Sequence, residues 1–433
     1  MKILKQLAVL LMVGTSLPSQ GQTIPDKGNT NQVSQQDRLY GLSQIWSEAK
    51  YNFVYFDKLS IDWDSLYRAT IPKVISAAGD LEYYNVLRNF AAQLHDGHTG
   101  VWYPMSYYNS LAQYAPLKTS LIDGKVFITG LLNDTLATQG LEKGMQILKI
   151  NDKDVFDYAN TYVSPYEGTS TPQGQHMMVY STYLLNGPVD EPIKLTIMNK
   201  SGKTGEYLVS RKLTRKKNPA VAYRQTAEGT GILSINSFDN QDFYKIFDSL
   251  YTSILTTKGL IIDLRENGGG DGSQGLHILK HLTKNAFTGT YNTYRQYNPS
   301  FRSWGVQNAT YLQFGPDIHK PFTDRTIYEK PVVVLIGKQT YSAAEDFTVL
   351  FDAMKRGVII GQPSGGSTGQ PLFIKLPGGG TFRVCIKKDT YPDGKEFVGV
   401  GIQPNIFVPE SADSFVKGED VELNKALEYL KAK

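Results

Sequence analysis

The chain has 433 residues, 41% hydrophobic and 20% charged, with 45 basic against 41 acidic side chains. That apolar fraction builds real cores and excludes a largely disordered chain, and the length fits two or three domains. A net charge of +4 without a basic stripe is no nucleic-acid footprint, and the lone cysteine, Cys385, excludes an intrachain disulfide framework and a cysteine-built zinc site.

Lys2 and Lys5 precede an apolar run over 7–13, which gives way to small and turn-forming residues through Gly21. Basic, apolar, then small is the grammar of a secretory signal peptide, expected over 1–21. The run is shorter than the roughly 20 residues that span a bilayer, and no later stretch reaches that length. The expected mature protein is therefore exported, periplasmic or secreted, without a membrane span. Residues 22–36, rich in Thr, Asp, Gly, Asn, Gln and Ser, read as a flexible leader.

Residues 37–113 read as a helical region. Leu39, Leu42, Ile45, Trp46 and Ala49 recur at three- and four-residue steps and put one apolar stripe on a helix. A second helix starts near Trp63, with Pro72 expected to kink or break it. A third starts near Leu81, with Tyr83, Val86, Leu87, Phe90 and Leu94 inward, and the bundle ends at Asp96-Gly97.

Over 114–213 the period changes to two. Val126-Phe127-Ile128, the run 145–150 and the run 193–197 are strand-like and are separated by Asp-Gly, Asn-Asp and Ser-Gly turns. The segment from Leu136 to Asn151, with Gly140 and Gly144, resembles the centre of a PDZ domain. Such domains bind extended peptide ends by adding a strand to a sheet edge. A small β-barrel without a ligand is the alternative.

From 214 to 433 strands and helices alternate, the signature of an α/β layer. Strands are expected over 232–235, 259–264, 332–336 and 358–360, and helices over 274–282, 343–354 and 420–430. Leu260-Ile261-Ile262 and Val332-Val333-Val334-Leu335-Ile336 are continuous apolar runs, as strands covered on both faces require. Residues 285–317, rich in Tyr, Asn, Gly and Pro, read as an irregular excursion.

Three motif matches fail on context. The stretch 270–275 fits G-x-G-x-x-G after a strand, but the acidic residue needed about 20 positions later is missing between Asp271 and Asp317. The stretch 365–369 fits G-x-S-x-G around Ser367, but Pro371 and an extended Leu372-Phe373-Ile374 follow where a nucleophile elbow needs a helix. His277 and His281 stand four apart, yet Ile278 replaces the glutamate of a zincin and no third ligand is near in sequence. An exposed helix face is the reading for that pair.

Thr340-Tyr341-Ser342-Ala343-Ala344-Glu345 differs from these. It follows a buried strand and opens a helix, so the Ser342 hydroxyl lies near outward-pointing N–H groups that favour a developing anion. Serine is also a favoured N-cap, and both readings stand on this evidence. Upstream, the strand from Gly259 ends in the glycine loop Asn267-Gly268-Gly269-Gly270. These two segments, in this order, resemble the C-terminal processing peptidases and their tricorn-protease relatives. The resemblance extends to the helical N-terminus, the PDZ-like insert and the ending Gly401-Ile402-Gln403-Pro404.

That resemblance implies an N-terminal helical bundle, a PDZ-like β-rich insert and an α/β catalytic domain of the tricorn-core or crotonase-like type. It implies Ser342 as nucleophile and the N–H groups of Ala343 and Gly270 as oxyanion donors, with Gly269 and Ser367 as supporting candidates. One branch of the family pairs the serine with a lysine about 25 residues later, where this chain has Ser367. The tricorn-like branch uses histidine and glutamate, which by resemblance are His98 and Glu396, with Asp393 as the competing carboxylate. A neutral imidazole can take the serine proton, and a carboxylate would fix its tautomer. His95 is set aside because in a continuing helix it would face the adjacent turn. The expectation is an exported serine peptidase acting on peptide or protein substrates through an acyl-enzyme, with no metal or organic cofactor required. The alternative is a non-catalytic protein on the same fold that binds peptides or hydrophobic ligands.

Overall fold

The computed structural model describes residues 32–216, 218–306 and 309–433, so the expected signal peptide and most of the leader lie outside the described residues. Ser34 caps the first helix, Gln35–Asn52, by accepting the Asp37 N–H, so the helix begins inside the stretch read as leader. Helices Trp63–Ser76 and Asp80–Ala92 follow. Pro72 sits inside the second without ending it.

The continuous apolar runs become the centre of a six-stranded sheet. Its order is Ile406–Phe407, Val358–Gly361, Val332–Ile336, Gly259–Asp263, Thr230–Ile235 and Val221–Gln225. All neighbours are parallel except the last pair. Side chains alternate between its faces. Leu260, Ile262, Val332 and Val334 pack with helices Phe243–Thr256, Gly272–Lys280 and Ala343–Ala353. Ile261, Val333 and Leu335 pack with helix Val421–Lys431 on the other side.

Residues 117–209 form a five-stranded antiparallel path, Leu117–Ile122, Lys125–Leu131, Gln146–Ile150, Ile193–Met198 and Thr204–Val209, around a core of its own. The π-helical turn Met177–Tyr183 lies against its first strand, where the Thr119 hydroxyl donates to the Tyr180 carbonyl at 2.6 Å. The N-terminal helices share their core with Leu376, Phe382, Val384 and Cys385 from far along the chain. Strand Gly100–Trp102 completes that union by pairing antiparallel with Thr381–Cys385.

Two expectations are corrected. The stretch 285–317 is not irregular: Tyr291–Tyr297 pairs with Ala309–Phe314 on one edge and with Lys387–Thr390 on the other. Its closely spaced Tyr and Thr residues suit a pleated surface, which outweighs the loop-like composition. The helix Phe243–Thr256, absent from the expected elements, brings Asp248 to His277 and His281. His281 is fully buried, so the pair does not lie on an exposed helix face.

Candidate active site

His98 stands on a short loop between a helix and a strand. The helix Asp80–Ala92 stops before it, and His95 leaves the helical path at φ 49° with its side chain exposed, which keeps it out of the site. The buried Asp96 carboxylate fixes the turn by accepting the His98 N–H at 3.1 Å and the Thr99 hydroxyl at 2.7 Å. Gly97 is required because a Cβ there would overlap the Tyr341 hydroxyl. Two residues after His98, the chain enters the strand that pairs Gly100 with Arg383.

Ser342 follows the strand Val332–Ile336 and directly precedes the helix Ala343–Ala353, in a strained backbone conformation at φ 54°, ψ −126°. A non-glycine residue persists there only when its surroundings hold it. Here they do: the Tyr341 N–H donates to the Asn267 carbonyl at 3.0 Å, and the Ser342 N–H donates to the Ser367 carbonyl at 3.1 Å. A Cβ on Gly269 would sit 2.7 Å from that of Ser342, so the glycine loop can pass this close only without side chains. The loop is pinned by the Phe238 N–H to the Gly269 carbonyl at 2.9 Å and the Asp271 N–H to the Phe238 carbonyl at 2.8 Å. Among the described hydrogen bonds, neither the Gly270 N–H nor the Ala343 N–H has a protein acceptor. Ala343 is the first residue of its helix, where N–H groups have no partner within the helix.

The imidazole bridges the two hydroxyls. His98 Nε2 lies 3.0 Å from Ser342 Oγ, and Nδ1 lies 2.8 Å from Ser367 Oγ. The Tyr341 ring stacks parallel to it with 5.2 Å between centroids. Burial, then the charges of Arg383 and Lys387, push its pKa down from 6.5 to about 3. The ring is therefore neutral at ordinary pH. With Nδ1–H donated to Ser367, Nε2 carries the lone pair facing Ser342.

Glu396 is a correction. Its carboxylate is held by Lys58 at 2.7 Å and by Lys388, on the exposed side of the molecule. Asp393 instead accepts the Lys395 N–H at 3.0 Å within its turn. The carboxylate that organises the site is Glu345, one turn along the Ser342 helix and fully buried. It accepts from the N–H groups of Gly366 at 2.8 Å, Ser367 at 2.9 Å and Ser342 at 3.3 Å, and from the Ser364 hydroxyl. Burial pushes its carboxyl up to about 8, against the pull of those donors. It thereby shapes the loop that presents Ser367 to His98. The sequence signal was the spacing Ser342-x-x-Glu345, a capping-box pattern.

A strap from the β-rich middle region ties both loops. The Ser170 hydroxyl donates to Asp96 at 3.2 Å and accepts the Gly97 N–H at 3.3 Å. The Thr171 hydroxyl donates to the Gly365 carbonyl at 2.6 Å, and Gln173 Nε2 to the Ser364 carbonyl at 3.0 Å.

Comparison with known proteins places this geometry among known folds. Residues 229–408 match the model of Peptidase family S41. Over that segment the chain is similar to the S41 peptidases. The S41 segment takes in the glycine loop, Ser342, Glu345 and Ser367, while His98 comes from outside it. Over 250 residues the chain is 28% identical to a carboxy-terminal-processing protease of Bartonella bacilliformis, covering 56% of this chain and 52% of that protein. Over 340 residues it is 24% identical to the chloroplastic carboxyl-terminal-processing peptidase 1 of Arabidopsis thaliana, covering 74% and 62%. The chain thus spans between half and two thirds of the curated relatives it matches. The structure of mature CPAF complexed with lactacystin superposes with a TM-score of 0.68 at 16% identity, covering 92% of this chain and 97% of that one. At that identity the likeness is one of fold, and it extends well beyond the S41 segment.

Proposed function

We propose that the protein is an exported serine peptidase that cleaves peptide or protein substrates through an acyl-enzyme, with Ser342 as nucleophile and His98 as base. The observation that carries the reading is the 3.0 Å contact between His98 Nε2 and the hydroxyl of a strained Ser342 at a helix N-terminus. The Ser342 proton passes to Nε2 as Oγ attacks the scissile carbonyl. The N–H groups of Gly270 and Ala343 receive the oxyanion. The protonated Nε2 then returns its proton to the leaving amine, and water repeats the sequence to release the acid.

In this reading Ser367, rather than Glu396, holds the Nδ1 proton and fixes the tautomer. Glu345 acts through Ser367 as a positioning residue. Residues 114–213 serve as a PDZ-like domain that binds or gates the substrate chain, and residues 1–21 direct export. The separate core of that region and the strap from 170 to 173 support a link between it and the site. Among the described residues no helix is long and apolar enough to cross a membrane.

Covalent labelling of the purified chain with a fluorophosphonate, mapped by peptide mass spectrometry, tests this. Label on Ser342 that disappears in His98→Ala is the expected result. Absence of label, with and without added peptides, would favour a binding protein on the same fold.

A further inference from the structure

Away from the catalytic serine, two helices on one face of the large sheet bring together side chains that the peptidase reading does not use. His277 lies on the helix Gly272–Lys280, and His281 is its C-cap. Asp248 reaches them from the neighbouring helix Phe243–Thr256. One ligand atom from each lies within 4.8 Å of the other two.

His277 Nε2 is 2.8 Å from Asp248 Oδ1. His281 Nδ1 donates to the His277 carbonyl at 2.8 Å, which leaves its Nε2 as the lone-pair nitrogen. That is the outer contact metal-bound histidines make: one ring N–H on a carbonyl fixes tautomer and ring orientation, freeing the other nitrogen for the ion. The main chain there is held as well: the His281 backbone carbonyl accepts the Tyr251 hydroxyl at 3.1 Å and the Tyr328 N–H at 2.8 Å. Phe247 and Phe322 pack against both imidazoles.

A positive charge already lies between these groups. Arg325 Nη1 is 2.8 Å from Asp248 Oδ1 and 3.3 Å from His281 Nε2. Guanidinium can only donate, so it engages the same lone pairs an ion would use. Its side chain is 35% exposed, so its guanidinium has solvent to move into, whereas His281 is fully buried.

We propose that Asp248, His277 and His281 form a divalent transition-metal site of the zinc class, with Arg325 as the cation that holds the place until the ion binds. Two imidazoles and a carboxylate suit zinc, and water completes a tetrahedron. Bonds of about 2.0–2.1 Å put tetrahedral ligand atoms about 3.4 Å apart, so the cluster tightens by an ångström or so as Arg325 leaves. The ion would pin together two helices, one of which starts just after the Gly269-Gly270 turn.

The test uses the full chain, stripped with chelator and titrated with Zn²⁺ against a chromophoric competitor, with thermal melting alongside. The expected result is one ion per chain at micromolar affinity or tighter, and a rise in melting temperature. Asp248→Asn and His277→Gln, both at the open side of the cluster, each weaken binding at least tenfold and abolish the melting shift. Arg325→Ala binds at least as tightly as the unaltered protein, because the competing cation is gone. Co²⁺ in place of zinc gives visible bands of four-coordinate intensity that both ligand variants lose. Zinc binding that neither ligand variant weakens, or that Arg325→Ala weakens, overturns the proposal. Ser342 labelling is independent of either outcome.

Discussion

His98 and His281 are both buried imidazoles, and in both cases burial is the main force pushing the pKa down, to about 3 and about 4. Burial does not distinguish them; what touches their nitrogens does. His98 has a hydroxyl at each nitrogen, so the lone pair of its free nitrogen faces a proton donor rather than a fixed cation. His281 has a carbonyl at one nitrogen and a guanidinium at the other, so its lone pair is committed to a cation. One environment suits a base, and the other a ligand. A depressed histidine pKa is therefore no functional label until the partners of both nitrogens are named.

The contrast can be broken most directly at Ser342. Ser342→Ala should lower peptide hydrolysis by at least about 10⁴-fold, and a smaller loss would remove Ser342 from the chemistry. Glu345→Ala should cost about 3 kcal/mol of stability, read from urea unfolding, because it leaves the Gly366 and Ser367 N–H groups buried without an acceptor.

Ser367→Ala should reduce kcat about 10- to 100-fold with KM within twofold, since it frees the ring without touching the substrate. Glu396→Gln should change stability by less than about 0.5 kcal/mol and leave kcat unchanged, because its lysine pairs are exposed. If Glu396→Gln were the more damaging of these two, the assignment of Ser367 as His98's partner would fall.

The pH profile sharpens the comparison with an ordinary imidazole. With its folded pKa below 6.5, His98 stays unprotonated as pH falls through 6.5 toward about 3. The acid limb of kcat/KM should therefore lie below pH 6.5. Stability runs the other way: across that window the unfolded chain takes up a proton that the folded state refuses, so His98's contribution declines as pH falls. An acid limb centred at 6.5 would mean that the ring is solvated in the working enzyme.

Much of this was legible in the sequence. The apolar runs at 260–262 and 332–336 announce doubly covered strands, and the serine after the second one stands where a helix begins. His98 is expected from resemblance alone, and it stands 3.0 Å from Ser342 Oγ. The orienting group was not legible as such. Ser367 lies inside a G-x-S-x-G match without the helix that a nucleophile elbow needs, and its side chain is fully buried. What linear order hid was its long-range contact with a residue 269 positions away. Glu396 is expected by resemblance, which carries no information about the lysines from 58 and 388 that hold it. Asp248 escaped for the same reason: its helix was missing from the expected elements, so no third ligand stood near the histidine pair.

The strap at 170–173 bears on when the site comes into being. His98, the strap, Ser342 and Ser367 are spread across most of the chain, and each depends on contacts with the others. No fragment shorter than residues 98–367 contains the set, so a chain emerging from synthesis carries no assembled Ser342 site until these long-range contacts close. Loop closure over such separations is slow and comes late. Assembly of the Ser342 site therefore waits on folding of the chain around it.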